Sequence, residues 1–88
     1  MLVVSYDIRD DRRRGAVAQE LKNFGARVQR SVFECHLDRE QAAALRSRLS
    51  RLIDEQADDI RYYRLCEKDV PHITVMGQAK PTQDWDYL

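Results

Sequence analysis

Cysteine, glycine and proline are all scarce in this chain. Its 88 residues include two cysteines, three glycines and two prolines. Two cysteines cannot build the disulfide framework that supports many small secreted domains. The scarcity of glycine and proline also leaves the segment from Arg27 to Leu37 without a clear turn signal.

The chain also lacks a long apolar segment. Its longest apolar stretches, Leu2–Tyr6 and Ile73–Met76, have the length of a β-strand and are too short to cross a membrane. Asp7 interrupts the first stretch too early for a secretory signal peptide. We therefore expect a cytoplasmic protein with reduced thiols and no membrane partner.

Several common catalytic signatures are missing as well. The sequence contains no phosphate-binding loop, dinucleotide-binding fingerprint or nucleophile elbow. The histidines, His36 and His72, are isolated, and no histidine and cysteine spacing fits a zinc site. We expect Cys35 and Cys66 to be small buried apolar residues rather than metal ligands.

The formal net charge is zero, but the charge is unevenly distributed along the chain. Residues 1–51 have 11 basic and 7 acidic side chains, whereas residues 52–88 have 4 basic and 8 acidic ones. Twelve of the 15 basic residues are arginines, whose planar guanidinium groups bind phosphate oxygens in pairs. This pattern is compatible with a nucleic-acid partner, although a single arginine more often lies on a solvated helix face.

Apolar spacing predicts an α+β sandwich with the order β-α-β-β-α-β and an additional C-terminal strand. Strands are predicted at Leu2–Asp7, within Arg27–Leu37, at Ile60–Cys66 and at Ile73–Met76. Helices are predicted over about Asp11–Phe24, to within a few residues at each end, and from a capping box at Asp38 and Gln41 to about Gln56. Sequence alone leaves open whether Arg27–Leu37 is one strand or a hairpin broken near Arg30 and Ser31.

We expect these elements to form one domain over residues 1–77, followed by a tail over residues 78–88. A chain this short buries a limited core, and association is a common way to stabilise such a domain. Two helices cover one face of the predicted sheet and leave the other face bare. A second copy of the chain is the simplest cover, so we expect a homodimer.

Asp7 ends the first predicted strand and is a candidate ligand for Mg²⁺, which takes few protein ligands and keeps several waters. A water bound to that metal could attack a phosphodiester. The alternative is that Asp7 accepts hydrogen bonds from its own loop. One carboxylate is little for a metal site, but a dimer with Asp7 near its two-fold axis would supply a second.

Two basic segments are candidates for contact with nucleic acid. Four arginines follow Asp7 on the predicted loop and first helical turn: Arg9, Arg12, Arg13 and Arg14. They either hold phosphates beside the helix amides or form a solvated turn balanced by neighbouring aspartates. Residues Arg27–Glu34 interleave basic, polar and aromatic side chains. In this second segment strand alternation alone favours a core role for the valines and Phe33.

The segments Val4–Arg14, VSYDIRDDRRR, and Gly25–Cys35, GARVQRSVFEC, together resemble the Cas2 family of CRISPR-associated proteins. Their spacing, the chain length and the strand at Ile60–Glu67 also agree. The resemblance implies a ferredoxin-like βαββαβ fold and a homodimer whose two sheets face each other. It also implies that Ile73–Met76 crosses to the partner's sheet.

The same resemblance implies a function in CRISPR spacer acquisition. The dimer would hold DNA beside the CRISPR integrase, Cas1, and some family members are Mg²⁺-dependent endonucleases on single-stranded RNA or double-stranded DNA. Asp7 matches the family's catalytic, metal-binding carboxylate. The predicted nucleic-acid-binding residues are Tyr6, Arg12, Arg13, Arg14, Arg27, Arg30, Ser31 and Phe33.

Two positions depart from the family's pattern. Ala16 stands where some members have a second helical arginine, which weakens the nuclease interpretation. Arg30 replaces a common aromatic residue and adds positive charge. Three hypotheses therefore remain at this point: a metal-dependent endonuclease, a non-catalytic adaptor that holds duplex DNA for the integrase, and a regulatory module that binds a small anion or a protein.

Overall fold

The structure is a computed structural model and describes residues 1–66. Its elements are β1 (Leu2–Asp7), α1 (Asp11–Leu21), β2 (Ala26–Gln29), β3 (Val32–Cys35), α2 (Arg39–Leu52) and β4 (Asp59–Arg64). The strands form an antiparallel sheet in the order β2-β3-β1-β4. This topology is the ferredoxin-like α+β sandwich, so the predicted fold class is confirmed. The predicted strand Ile73–Met76, the tail 78–88 and their boundary lie outside the described residues.

β1 forms the centre of the sheet, and its side chains alternate between the two faces. Leu2, Val4 and Tyr6 point towards the helices and belong to the main core. That core also contains Val17 and Leu21 of α1, Phe33 and Cys35 of β3, and Ala42, Leu45 and Leu49 of α2. The helices therefore cover one sheet face because their apolar spacing places these residues on one side of each helix.

The opposite sheet face has a smaller apolar cluster. Met1 and Val3 are buried there, with Val28, Val32 and Leu65 packed against them. Side chains alternate between the two faces along a strand, so Val3 points to the face opposite Leu2 and Val4. Both sheet faces of the described chain thus have apolar contacts.

Residues 27–37 contain a hairpin, which resolves the question that the sequence left open. Arg30 and Ser31 separate β2 from β3, and the pairing register shifts between Arg27 and Gln29. The backbone N–H of Tyr6 donates to the Ser31 carbonyl at 3.0 Å. The turn is therefore held against the end of β1 by a contact from outside the hairpin, and it contains no glycine.

Both helices begin where predicted but end earlier than predicted. Asp10 caps α1 by accepting a hydrogen bond from the Arg13 backbone N–H at 2.8 Å. α1 stops at Leu21, whose carbonyl accepts bonds from the amides of Phe24 and Gly25 in a closing turn. The predicted end at Phe24 was wrong because Phe24 packs on the core from this turn rather than from the helix.

The capping box of α2 is confirmed by two reciprocal bonds. The Gln41 amide donates to Asp38 Oδ1 at 2.7 Å, and the Asp38 amide donates to Gln41 Oε1 at 3.0 Å. The helix ends at Leu52 instead of Gln56 because the chain turns there. The amide of Asp58 donates to the Asp54 carbonyl at 2.8 Å and closes this turn before β4.

Within residues 1–66 neither helix is long and apolar enough to span a membrane. Of the two cysteines, Cys35 is buried as predicted, whereas Cys66 is exposed and departs from that expectation. Burial raises the pKa of the Cys35 thiol to about 11, with a further contribution from the charge of Glu34. Cys35 is therefore a neutral apolar side chain at physiological pH.

Gly25 leaves no room for a side chain, because an added Cβ would overlap the Glu34 carbonyl oxygen and lie 2.6 Å from Cys35 Sγ. We expect Gly25→Ala to lower the free energy of unfolding by about 1–3 kcal/mol, as overpacking does in other cores. Gly15 is the matched control, since its added Cβ would meet nothing within 4 Å. Gly15→Ala in the helix should raise stability by about 0.5–1 kcal/mol. Urea unfolding of the two variants and the wild type measures both changes in the free energy of unfolding. Equal changes for Gly25→Ala and Gly15→Ala would contradict the tight packing around Gly25.

Candidate functional site

A cleft of about 650 Å³ lies at the carboxyl end of β1. The first turns of α1 form one wall and the β2–β3 turn forms the other. Its lining contains six of the predicted site residues: Tyr6, Asp7, Arg14, Arg27, Arg30 and Ser31. Ile8, Asp11, Gly15 and Ala18 complete the lining. Two sequence segments that were predicted separately to contact nucleic acid therefore meet in one place.

Asp7 is the last residue of β1, and its side chain is exposed. Within the described chain no hydrogen bond or ion pair engages its carboxylate. Its partner across the β1–β4 pairing is Asp59, whose carboxylate accepts a bond from Arg61 Nε at 3.0 Å. Sequence analysis missed Asp59, because only the register of two distant strands places it opposite Asp7.

Tyr6 and Phe33 form the buried floor behind the cleft. Their exposed fractions are 4% and 0%, and their ring centroids are 6.4 Å apart. The Arg27 guanidinium lies 5.4 Å from the Phe33 centroid, a cation–π distance. The Arg27 guanidinium thus packs on the Phe33 ring. Phe33 itself is a core residue.

Arg14 is bound to the loop that precedes its own helix. One guanidinium nitrogen donates to the carbonyls of Ile8 at 3.1 Å and Arg9 at 3.2 Å, and the other pairs with Asp11. Arg14 therefore holds the loop that forms the cleft wall. Asp11 offsets the positive charge of Arg14. In the described structure neither Arg27 nor Arg30 forms an ion pair with a carboxylate, so both guanidinium groups remain available to a ligand in the cleft.

The remaining two predicted arginines lie outside the cleft. Arg13 binds Asp58 through two nitrogens, with Nε–Oδ2 and Nη2–Oδ1 distances of 2.7 and 3.2 Å. Asp58 is almost fully covered, with 1% of its side chain exposed, and it also accepts from the Asp54 amide. Arg12 is exposed and has no ion pair within residues 1–66. The geometry thus gives Arg13 a structural contact and leaves Arg12 available to solvent.

The donor set fits Mg²⁺ only in part. Among the described residues no group of three or more histidine, cysteine, aspartate or glutamate side chains could hold a metal ion. The Asp7 carboxylate is a hard oxygen donor, and Mg²⁺ commonly takes one or two carboxylates with several waters. Asp59, opposite Asp7, is held by Arg61, so one described chain offers one unengaged carboxylate at this position, and a second Asp7 from another copy would add another.

The chain is a small ferredoxin-like α+β protein whose cleft is lined by arginines, a serine hydroxyl and a strand-end carboxylate. The family model "CRISPR associated protein Cas2" matches residues 1–73. The chain belongs to the Cas2 family, and the resemblance noted in its sequence is confirmed.

Individual relatives agree with this assignment. A CRISPR-associated endoribonuclease Cas2 of Thermus thermophilus is 48% identical, with 99% of this chain and 95% of that protein covered. The crystal structure of Streptococcus pyogenes Cas2 is 32% identical, with a TM-score of 0.77 and coverage of 86% and 98%. A chain of a partial Cas6-RT-Cas1–Cas2 complex shares the fold at 24% identity, with a TM-score of 0.74 and coverage of 91% and 92%.

The ion pair between Arg13 and Asp58 predicts a dependence of stability on pH. The hydrogen bond from Arg13 lowers the pKa of the Asp58 carboxyl below its ordinary value of 3.8. Because the folded pKa is the lower one, the stabilisation is complete above the unfolded pKa and disappears as the pH falls through the folded pKa. Asp58→Asn should therefore unfold at a lower temperature than the wild type at neutral pH.

The difference in unfolding temperature should shrink as the pH is lowered below 3.8. Thermal unfolding followed by circular dichroism across this range measures it. Glu55→Gln, at an exposed carboxylate, is a control of equal charge change outside the Arg13 ion pair. A temperature difference for Asp58→Asn that stays constant down to the acid limit would contradict the assigned role.

Proposed function

We propose that this chain is a CRISPR adaptation protein that binds nucleic acid as a cytoplasmic homodimer together with the CRISPR integrase, Cas1. We further propose that it hydrolyses phosphodiester bonds of RNA or DNA with Mg²⁺ at Asp7. Membership of the Cas2 family supports the adaptation role. The name of the Thermus thermophilus relative, an endoribonuclease, supports the hydrolytic activity.

One observation carries the proposal: Arg27, Arg30 and Ser31 line the same cleft as Asp7. Two guanidinium groups without a carboxylate partner attract a phosphate, and a hydroxyl group adds a neutral donor. A strand-end carboxylate beside them lies where the reacting phosphate would be held.

The dimer would form through the sheet face that the helices leave bare. Tyr63 lies on that face, across from Val3, and is 46% exposed. It is the large hydrophobic residue that stands out as exposed in the described chain. Asp7 is on the same face as Val3, because both occupy odd positions of β1. Pairing these faces would bring two Asp7 carboxylates towards a shared axis.

In the proposed reaction each group of the chain has a separate task. Arg27 and Arg30 hold the phosphate oxygens, and Ser31 donates a hydrogen bond to the same backbone. The paired Asp7 carboxylates would hold Mg²⁺, which when bound provides a water of lowered pKa and offsets negative charge on the attacked phosphate. Arg14 keeps the wall of the cleft in place through its bonds to the loop carbonyls.

A non-catalytic adaptor is the second candidate. The groups proposed to bind phosphate lie within one chain, whereas the proposed pair of Asp7 carboxylates requires two chains. Binding can therefore persist where hydrolysis fails. In this role the dimer holds duplex DNA for Cas1 and performs no chemistry itself.

Replacing Asp7 separates the two candidates. We expect Asp7→Asn to abolish Mg²⁺-dependent cleavage of labelled RNA and DNA, because the amide is a poor Mg²⁺ ligand, while nucleic-acid affinity stays within about twofold. Glu40→Gln, on the exposed first turn of α2, is the control with the same loss of charge. Unchanged cleavage by Asp7→Asn would refute the catalytic role. Wild-type protein that binds but never cleaves would establish the adaptor.

Replacing Arg30 tests the phosphate contact directly. Arg30→Ala should weaken binding to duplex DNA and reduce the slope of log affinity against log salt concentration by about one. Arg39→Ala removes the same charge from α2, away from the cleft, and should leave that slope unchanged. Fluorescence anisotropy across a range of salt concentrations gives both slopes, and equal slopes for the two variants would exclude Arg30 as a contact.

A further inference from the structure

Tyr6 has its ring in the core and its hydroxyl group at the wall of the cleft. With 4% of the residue exposed, the ring is not available to stack on a base. The hydroxyl donates to the Arg30 carbonyl oxygen at 3.3 Å, and Arg27 Nη2 donates to the same hydroxyl at 3.5 Å. One oxygen atom therefore contacts the guanidinium group of Arg27 and the backbone of Arg30, the two cleft arginines without an ion pair in the described chain.

Tyr6 is also joined to the β2–β3 turn through its backbone. Its N–H donates to the Ser31 carbonyl, next to the carbonyl that the hydroxyl contacts. The turn thus has two attachments to one residue of the central strand. The backbone bond fixes where the turn lies, and the hydroxyl bond restrains its orientation and the approach of Arg27.

We propose that Tyr6 is a positioning residue: its hydroxyl sets where Arg27 and Arg30 present their guanidinium groups and does not itself contact the nucleic acid. This inference rests on the proposed binding of nucleic acid in the cleft. It replaces the sequence-based expectation of a direct contact with an indirect one. The side chain then contributes to affinity through two neighbours, and its contribution depends on their presence.

The variant Tyr6→Phe removes the hydroxyl oxygen and keeps the buried ring. We expect it to bind a short labelled DNA duplex of mixed sequence about three- to tenfold more weakly, the usual consequence of losing one hydrogen-bonding group. Tyr62→Phe is the matched control. Tyr62 is half-buried on the same sheet face and lies outside the cleft, so its variant should bind with unchanged affinity.

A mutant cycle distinguishes positioning from contact. In a background with Arg27→Ala and Arg30→Ala, adding Tyr6→Phe should change the dissociation constant by less than about twofold, because the groups that it positions are gone. A loss as large as that seen in the wild-type background would show that the hydroxyl touches DNA directly. That result would overturn the proposal.

A second measurement needs no ligand. Nitrogen-15 relaxation should show larger motion of the Arg30 and Ser31 amides in Tyr6→Phe than in the wild type or Tyr62→Phe. Unchanged motion would overturn the positioning role. Because the relaxation is measured on the free protein, its result decides the role of Tyr6 whether or not the wild type binds DNA. Failure of the wild type to bind DNA would refute the proposed function alone.

Discussion

The alternation of side chains along β1 is the constraint on which this structure depends. β1 pairs with both β3 and β4, so its register fixes how these two strands lie against it. Even positions enter the helix-covered core, and odd positions reach the other face. A slip of one residue would exchange these faces and bury Asp7 where Tyr6 lies. The main core and the placement of the carboxylate therefore have a common origin.

The starts of both helices could be predicted from the sequence because hydrogen bonds between residues close in the chain determine them. The capping box at Asp38 and Gln41 and the cap at Asp10 each involve side chains and amides three residues apart. The helix ends were less predictable. α1 and α2 each stop before their apolar pattern does, because turns closed by backbone bonds place Phe24 and Ile53 against the core without helical geometry.

The candidate site was predictable in composition but not in arrangement. Sequence indicated Asp7 and the neighbouring arginines, yet it gave Arg12, Arg13 and Arg14 one shared role. The structure gives them three different surroundings, since Arg13 meets Asp58 and Arg14 meets its own loop. The partner of Arg13 is 45 residues away, and no local pattern reveals such a pairing. Long-range contacts of this kind decide which arginines remain free to bind a ligand.

The cleft exists only in the folded chain, because its walls come from segments far apart in sequence. The hydroxyl group of Tyr6 and the carbonyl that it contacts are separated by 24 residues. A ligand held in the cleft would recognise the native state and ignore the unfolded one, so mass action would shift the folding equilibrium towards the native state. For a domain of this size, with its limited core, a higher occupancy of the cleft would then raise the unfolding temperature.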